Sequence, residues 1–346
     1  MRNIRLLLLL LLTISSAFGQ RNSIFKKVTV DTVIHEKISI CAIEKDGDLI
    51  WYAADKGRFG CYNTKTQQRF QGKITHGETD IEFRSLAKNS HCVYALSIGN
   101  PALLYQIDKD SKQPKLVYEE IHEKVFYDSM RFWNDRDGIA IGDPTQDCLS
   151  ILITHDGGNS WQKQPCSSLP KTAHGEAAFA ASNTNIAVEG NKTWVVSGGK
   201  KARVFYSPDQ AQTWQVYETP MVQGLAMTGI FTADFYNDTL GIVAGGNYDL
   251  PQQQTGNKAL TKDGGKTWEL LAENEGFGYA SCVQFVPKSK GAQIVSVGVS
   301  GLAYSFNSGK TWVKLLEQKD LYTIRFLNHN TAAAAGPNGL LVLHFK

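Results

Sequence analysis

The chain has 346 residues, and its 36 Lys and Arg against 33 Asp and Glu give a formal net charge of +3. This near-neutral balance produces no long-range field for drawing in nucleic acid or an anionic membrane surface, so neither is expected as a partner. The length exceeds what one small core needs, which leaves either two domains or one large repetitive architecture.

The first segment, residues 1–19, has the three-part pattern of a secretory signal peptide. Arg2 and Arg5 precede an apolar run from Leu6 to Leu12, and small and polar residues continue to Gly19. The run is too short to cross a bilayer as a helix, which takes about 20 residues. We expect cleavage after Gly19, which leaves residues 20–346 as one exported domain with a net charge of +1. We expect this domain to be periplasmic or secreted, with no membrane span.

A short motif recurs four times from residue 154 onward, with Ser or Thr first, Asp or Asn two residues on, and Trp seven residues on. The copies are THDGGNSW, SPDQAQTW, TKDGGKTW and SFNSGKTW. Their acidic or amide and Trp positions are Asp156 and Trp161, Asp209 and Trp214, Asp263 and Trp268, and Asn307 and Trp312. Successive Trp residues lie 53, 54 and 44 positions apart, a period typical of solenoids and propellers.

A second pattern runs in phase with this motif, in which a short strand is followed by a turn and an apolar stretch that ends in Gly. It is clear in residues 127–144, 280–301 and 321–339, and looser in 38–57, 81–101, 175–200 and 228–247. Short β segments joined by Gly, Asn and Asp turns, with no amphipathic helix between them, indicate an all-β fold.

The two ends of the chain complement each other. The last unit lacks a fourth strand, while residues 26–33 read as a strand that belongs to no unit. Pairing of these two segments would complete the last unit and hide an open sheet edge. We therefore predict a seven-bladed β-propeller that is closed by strands from both termini.

The repeats resemble the Asp-box, or bacterial neuraminidase repeat, and the whole mature chain resembles the photosystem II stability/assembly factor-like propellers. Stretches such as FYDSMRFWNDRDGIAIGDP and LSIGNPA are similar to those of an exported bacterial branch. The resemblance implies a non-enzymatic binding or assembly-factor-like protein that recognises an envelope protein or another ligand. It leaves activity open, because Asp-boxes also occur in sialidases and other glycan-cleaving enzymes.

The repeated Asp is expected to be structural. An Asp in a tight turn can accept hydrogen bonds from the backbone of its own turn, the following Gly residues supply positive φ, and the Trp buries apolar area. Catalytic acids would need a second carboxylate within about 5 to 10 Å. Four copies at the periphery of a propeller cannot share one active site.

The mouth of the central channel is the candidate ligand site. The inner strands can be aligned on Phe132, Phe285 and Phe326, and the residue four positions earlier should face the mouth of the channel. In the neighbouring blades 2, 3 and 4, this position is occupied by Arg84, Asp128 and Glu176. Turns between second and third strands add four polar residues, namely Asn100, Asp143, Lys200 and Asn247. Two interpretations stay open: an inter-blade ion-pair network, since buried charges must be paired, or a ligand site.

The alternative function is a carbohydrate-active enzyme or lectin that uses the same mouth. A glycoside hydrolase would use Asp128 and Glu176. A sialidase would need three arginines on the carboxylate of the substrate. However, Arg131 and Arg325 lie one residue before the aligned Phe, where we expect packing between blades.

No other chemistry is indicated. The sequence has no HxH or HExxH, no GxGxxG between strand and helix and no Walker loop, so no metal or cofactor is expected. The partner is expected to be an envelope protein or a glycan, bound by a monomer. Cys148 and Cys166 lie nearly equidistant from the centre of the hairpin between Gly157 and Gly158, which predicts a cross-strand disulfide.

Overall fold

The computed structural model describes residues 24–346, so the predicted signal peptide lies outside the described residues. Within them, 30 β-strands and one short 3-10 helix, Cys166–Ser168, are arranged around a central channel. No helix in this range is long and apolar enough to cross a membrane. The predicted all-β, seven-bladed propeller is confirmed.

Each blade contains four antiparallel strands. In blades 1 to 6 these run from the channel outward in chain order, and in blade 7 the outermost strand is the first strand of the chain. The strands of blades 1 and 2 are β2 (Ile40–Asp46), β3 (Leu49–Ala54), β4 (Arg58–Asn63), β5 (Arg69–Lys73), β6 (Phe83–Lys88), β7 (Cys92–Ser97), β8 (Ala102–Asp108) and β9 (Pro114–Glu120). Those of blade 3 are β10 (Tyr127–Phe132), β11 (Gly138–Gly142), β12 (Ser150–Thr154) and β13 (Gln162–Lys163).

Blade 4 has an irregular inner edge. Its four strands are β15 (Ile186–Glu189), β16 (Lys192–Val196), β18 (Arg203–Ser207) and β19 (Gln215–Glu218). Two short extra strands, β14 (Glu176–Ala177) and β17 (Gly198–Gly199), pair with each other, and β17 also joins the inner strand of blade 5. Blades 4 and 5 are therefore connected at one end of the channel.

The remaining strands complete the ring. Blade 5 contains β20 (Thr228–Phe235), β21 (Gly241–Asn247), β22 (Lys258–Thr261) and β23 (Glu269–Leu270), and blade 6 contains β24 (Ala280–Phe285), β25 (Ile294–Gly298), β26 (Gly301–Ser305) and β27 (Val313–Leu316). Blade 7 contains β28 (Thr323–Asn328), β29 (Thr331–Gly336), β30 (Gly339–Phe345) and β1 (Val28–His35). Strand β1 pairs with β30 from Val28 opposite Phe345 to His35 opposite Gly339. This pairing hides the edge of β30 and closes the ring with both termini.

The core is divided among the blade interfaces. Seven clusters of buried apolar side chains each draw from two adjacent blades, one cluster at each interface. Between blades 4 and 5, the ring of Trp194 stacks on that of Phe235 with centroids 3.8 Å apart. Each blade thus buries both faces against its neighbours. Because few hydrogen bonds join the sheets directly, this buried apolar surface is what holds them together.

The Asp turns lie on the face where third strands turn into fourth strands, which we call the turn face. In blade 3, the Asp156 carboxylate accepts hydrogen bonds from the Ser160 amide at 3.0 Å and the Thr154 hydroxyl at 2.8 Å. The Gly158 amide donates to the Thr154 hydroxyl oxygen at 3.0 Å, and the φ of Gly158 is 77°. The hydrogen-bonding capacity of the carboxylate is therefore used within its own turn.

These turns also connect neighbouring blades. The Tyr94 hydroxyl of blade 2 donates to the Gly157 carbonyl, and the Trp194 indole of blade 4 donates to the Gly264 carbonyl at 2.8 Å. A Cβ on Gly158 would lie 2.3 Å from the Tyr94 ring, so only Gly allows this close approach. The motif consequently fixes the spacing of blades on the turn face.

A disulfide joins Cys148, before β12, to Cys166, after β13, with the two Cα atoms 5.7 Å apart. Cys41, Cys61, Cys92 and Cys282 are free and buried.

Candidate functional site

The channel is blocked by a segment of the chain itself. Residues 180–184, which we call the plug, leave the edge of blade 4 and cross the channel before β15 begins. The side-chain Nδ2 of Asn183 donates to the Leu86 carbonyl of blade 2 at 2.6 Å, and its Oδ1 accepts from the Met130 backbone amide of blade 3 at 3.1 Å. The Ser182 hydroxyl donates to the Ser281 carbonyl of blade 6 at 2.6 Å. The plug therefore divides the channel into two separate ends.

Two arginines bind the plug from the side of the turn face. Arg131 donates to the Asn183 carbonyl at 2.7 Å and to Glu44 at 2.9 Å. Arg325 donates to the same carbonyl at 3.4 Å, and its Nε lies 3.9 Å from Glu44. Both arginines contact another blade, as expected, because Glu44 belongs to blade 1, and the plug adds a carbonyl acceptor inside the channel. Their hydrogen bonds to protein groups oppose a role in binding a substrate carboxylate.

The opposite end of the channel opens on the face where blades connect to one another, which we call the mouth face. A cavity of about 250 Å³ lies here. Its walls include Ser39, Arg84 and Tyr322 at the predicted inner-strand register, with Tyr248 and Tyr279 from blade 5 and its connection to blade 6. The plug residue Ala181 also lines the cavity. Because the plug closes the channel, the cavity can accept a group only from the mouth face.

Arg84 is the basic group of this cavity, and Asp320 is a second charged residue in its wall. Its guanidinium lies 2.6 Å from the Glu82 carboxylate and donates to the Ala180 carbonyl at 3.4 Å. About a third of each side chain of the ion pair stays exposed, 34% for Arg84 and 38% for Glu82. Arg84 is therefore partly neutralised by a neighbour on its own strand connection, while part of it remains available to a ligand.

Asp128 is enclosed below the surface. The residue is 0% exposed, and neither carboxylate oxygen has a hydrogen-bond partner among the described residues. Burial raises its pKa well above the ordinary value, the nearby Asp143 raises it further, and Arg84 only partly offsets both effects. Burial also raises the pKa of Asp143 to about 6, although that carboxylate accepts the Ala178 amide at 2.8 Å.

Glu176 belongs to a different cluster. It is buried, forms an ion pair with Arg203, and accepts hydrogen bonds from the Ser197 hydroxyl at 2.6 Å and the Ala173 amide at 2.8 Å. The hypothesis of one Arg84, Asp128 and Glu176 network is therefore wrong: no two of these side chains form an ion pair. The physical reason is the plug, which displaces the inner strand of blade 4 and leaves Glu176 on the short strand β14.

The hydrolase alternative depended on Asp128 and Glu176. Both side chains are buried, and Glu176 is already held by Arg203. A glycosidic bond must be flanked by two accessible carboxyl groups for hydrolysis. The described arrangement does not offer this pair to a substrate.

The four turn residues all lie on the mouth face, with different roles. Asn100 is exposed, and the Lys200 ammonium donates to the Gly224 carbonyl at 2.7 Å. Asn247 is buried, and its side-chain oxygen accepts the Asp249 and Leu250 amides at 3.0 and 3.1 Å. Asn247 therefore shapes a loop and is not a free ligand group.

The sequence reasoning missed two aromatic residues of the mouth, Tyr248 and Tyr279, although its inner-strand register included Tyr322 and Phe231. The Tyr248 and Tyr279 rings lie 5.2 Å apart and perpendicular, and Phe231 meets Tyr279 at 4.8 Å. Phe231 stacks in turn on Phe179, with centroids 3.9 Å apart. Tyr248 directly follows strand β21 and Tyr279 directly precedes strand β24. Aromatic residues beside strand ends were therefore the signal in the sequence, and a register that counts positions within inner strands does not reach them.

Fold and site together define a seven-bladed β-propeller with an internally closed channel and a tyrosine-lined cavity at its mouth. It is similar to a solved structure described as YCF48 bound to a D1 peptide, with a TM-score of 0.66 and 14% identity over 93% of this chain and 98% of that one. YCF48 from Cyanidioschyzon merolae gives a TM-score of 0.65 and 13% identity, over 91% and 98% of the two chains. U3-55K gives 0.64 and 11%, again over 91% and 98%. At these identities the likeness shows the fold alone. No protein-family model and no curated protein matches the sequence.

Proposed function

We propose that this chain is an exported binding propeller that receives a segment of another protein at the channel mouth, in the manner of an assembly factor. The observation that carries the proposal is the cavity of about 250 Å³ above the plug, with its three tyrosines and an arginine whose side chain is 34% exposed. The proposal of export rests on the pattern of residues 1–19, and it implies a partner in the bacterial envelope or outside the cell.

The dimensions of the cavity favour a protein segment over a small molecule. Small-molecule sites enclose about 300 to 1,000 Å³ and bury most of the ligand. A smaller cavity with a closed floor suits one or two anchoring side chains of a longer chain, and tyrosines are enriched at such protein contacts. The similar propeller described as bound to a D1 peptide supports this kind of ligand for the fold.

A photo-crosslinking amino acid at Lys200, which is exposed on the mouth face, tests the proposal. The control carries the same group at Lys262, exposed on the turn face. With a bacterial envelope fraction, we expect a discrete protein adduct from the mouth position and none from the control. The additional substitution Ser39→Trp places an indole in the cavity and should remove the adduct.

An adduct that forms equally at both positions, or that survives Ser39→Trp, would overturn binding at the mouth. Far-ultraviolet circular dichroism and the unfolding midpoint of the Ser39→Trp variant establish whether the propeller remains folded. A glycan adduct without protein would instead favour the lectin alternative.

A further inference from the structure

The four most exposed large apolar side chains of the described residues share one face, whereas Phe306 and Val313 are exposed on the turn face. Among the large apolar residues of the described chain, the four most exposed are Ile121 (76%), Leu250 (61%), Leu225 (58%) and Tyr248 (52%). All four lie in connections between blades or between second and third strands, so all four are on the mouth face. Contiguous exposed apolar surface in a monomeric protein marks an interaction site.

Three of these residues lie on two adjoining loops of blade 5. Residues 219–227 and 248–257, which we call the apolar sector, contain a single charged residue, Asp249. The loops are joined by hydrogen bonds from the Val222 amide to the Gly256 carbonyl at 2.8 Å and from the Tyr248 amide to the Met227 carbonyl at 2.9 Å. The sector is therefore a surface with fixed backbone contacts.

The apolar sector is continuous with the mouth cavity. Tyr248 belongs to both the cavity and the sector: it lines the cavity, and Asp249 and Leu250 of the sector follow it directly in the chain. Its ring also rests against Tyr279, which holds its orientation. A chain anchored in the cavity can therefore continue over blade 5 along the sector that contains Leu250 and Leu225.

We infer that the partner segment is an uncharged, apolar and extended stretch of another protein, with its anchor in the tyrosine cavity and its continuation over Leu250 and Leu225. This inference rests on the proposed function and names the chemistry of its ligand.

The charge pattern of the apolar sector selects the occupant. The residues of the sector carry one charge, Asp249, and the charged side chains bonded to its backbone have both signs: Lys200 donates to the Gly224 carbonyl and Glu273 accepts from the Gly256 amide. A charged segment therefore finds no consistent countercharge here, and it would lose hydration against the exposed apolar side chains. Apolar side chains gain free energy in proportion to the area they remove from water. Recognition by this sector should therefore depend weakly on salt, because screening acts on charges and not on apolar contacts.

The test uses the full mature chain and random twelve-residue peptides displayed on phage. Peptides are selected on the wild-type protein and on a Leu225→Asp, Leu250→Asp variant. The matched control is Val313→Asp, since Val313 is an exposed apolar residue (44%) on the turn face. We expect wild type and control to enrich peptides depleted in charged residues, and the double variant to enrich none of them.

Affinities of synthetic versions of the enriched peptides give the second measurement. We expect the double variant to bind them about tenfold or more weakly than wild type, as for loss of central apolar contacts. Wild-type affinity should change less than about twofold between about 50 and 500 mM NaCl.

Several results would overturn the inference. Suppose that charged peptides bind to the wild-type protein and to the double variant, and that Ser39→Trp abolishes their binding. This result would support binding at the mouth and would refute an apolar partner. Enrichment of no peptide refutes it as well. Self-association is measured by sedimentation velocity. If the wild-type protein and the control self-associate and the double variant does not, the occupant of the sector is a second copy of this chain. Binding to phosphatidylcholine vesicles with the same dependence assigns the sector to lipid.

Discussion

At the scale of single residues, Asp128 is a costly group for this fold to bury. A buried carboxylate without hydrogen-bond partners loses its hydration and recovers little of it from the protein. Its raised pKa records this loss, because the protein accepts a proton in order to avoid the charge. Asp143, whose pKa burial raises to about 6, is a second acid beneath the mouth face.

The contribution of Asp128 to the free energy of unfolding should therefore fall as pH rises. A carboxyl whose pKa is higher in the folded than in the unfolded chain stabilises fully below the unfolded value of 3.8, and this contribution is lost as pH rises through the folded pKa. We expect Asp128→Asn to equal wild type near pH 4 and to be more stable at pH 8 by about 1 to 3 kcal/mol. Urea unfolding at the two pH values measures this difference. A variant less stable than wild type at pH 8 would contradict the account.

Asp263 has the opposite environment. Desolvation in its turn opposes ionisation, yet the hydroxyl and amide of Thr267 hold its pKa at about 2. By analogy with helix caps, Asp263→Ala should cost about 0.5 to 2 kcal/mol at pH 7. Because the folded pKa is depressed, this advantage should shrink as pH falls through about 2. Asp263→Asn should cost less, since Asn307 accepts the Thr311 amide at 2.9 Å in blade 6. Thermal unfolding measures the stability of both variants. If Asp263→Ala and Asp263→Asn lose the same stability, the hydrogen bonds of the turn do not account for the contribution of Asp263.

At the scale of elements, the outer hairpin of blade 3 is short. Strand β13 has two residues, so few ladder hydrogen bonds hold it. The disulfide between Cys148 and Cys166 closes a loop with a sequence separation of 18 around it. This cross-link restricts the unfolded chain and adds a constraint where the sheet itself supplies little.

Removal of this cross-link should lower the unfolding free energy by about 3 kcal/mol, the value for a loop of this length. We expect the same loss from a Cys148→Ser, Cys166→Ser variant as from a reducing agent on wild type. The reducing agent should have no further effect on the variant, because the four remaining cysteines are free. Denaturant unfolding with and without reductant measures both, and an unchanged midpoint after reduction would contradict the prediction.

At the scale of the whole molecule, the ring is held together in three ways. The blade interfaces bury apolar surface, β1 closes the edge of β30, and the plug connects distant blades through the channel. The plug contacts differ from the others because they join segments about 100 residues apart, for example Asn183 and Leu86. Seven sheets that could shift relative to one another are thereby fixed to a common centre.

Asn183→Ala should therefore weaken the whole ring. It leaves the Met130 amide and the Leu86 carbonyl without their side-chain partner, at about 1 to 3 kcal/mol for each buried group. We expect a loss of about 2 to 4 kcal/mol in one cooperative transition, measured by calorimetry. The control, Glu189→Ala, removes an exposed side chain from the same blade and should change little. A loss confined to blade 4, seen as a separate early transition, would contradict this role of the plug.

The sequence by itself determined the number of blades, their all-β character and the closure by both termini. These follow from local signals: turn residues and strand periodicity are encoded within a few positions, and a repeated unit multiplies the signal. The Asp turn is likewise local, since Asp156, Thr154 and Ser160 satisfy one another within one loop.

Only the tertiary structure decided which charged and aromatic groups meet. Glu176 was assigned to the inner strand of blade 4 because AAFAASNTN gives no sign that the chain leaves the sheet to form the plug. Its partner Arg203, the isolation of Asp128, and the meeting of Tyr248 with Tyr279 depend on contacts between blades. Such contacts are set by the packing of separate sheets, a non-local property that spacing along one chain does not encode.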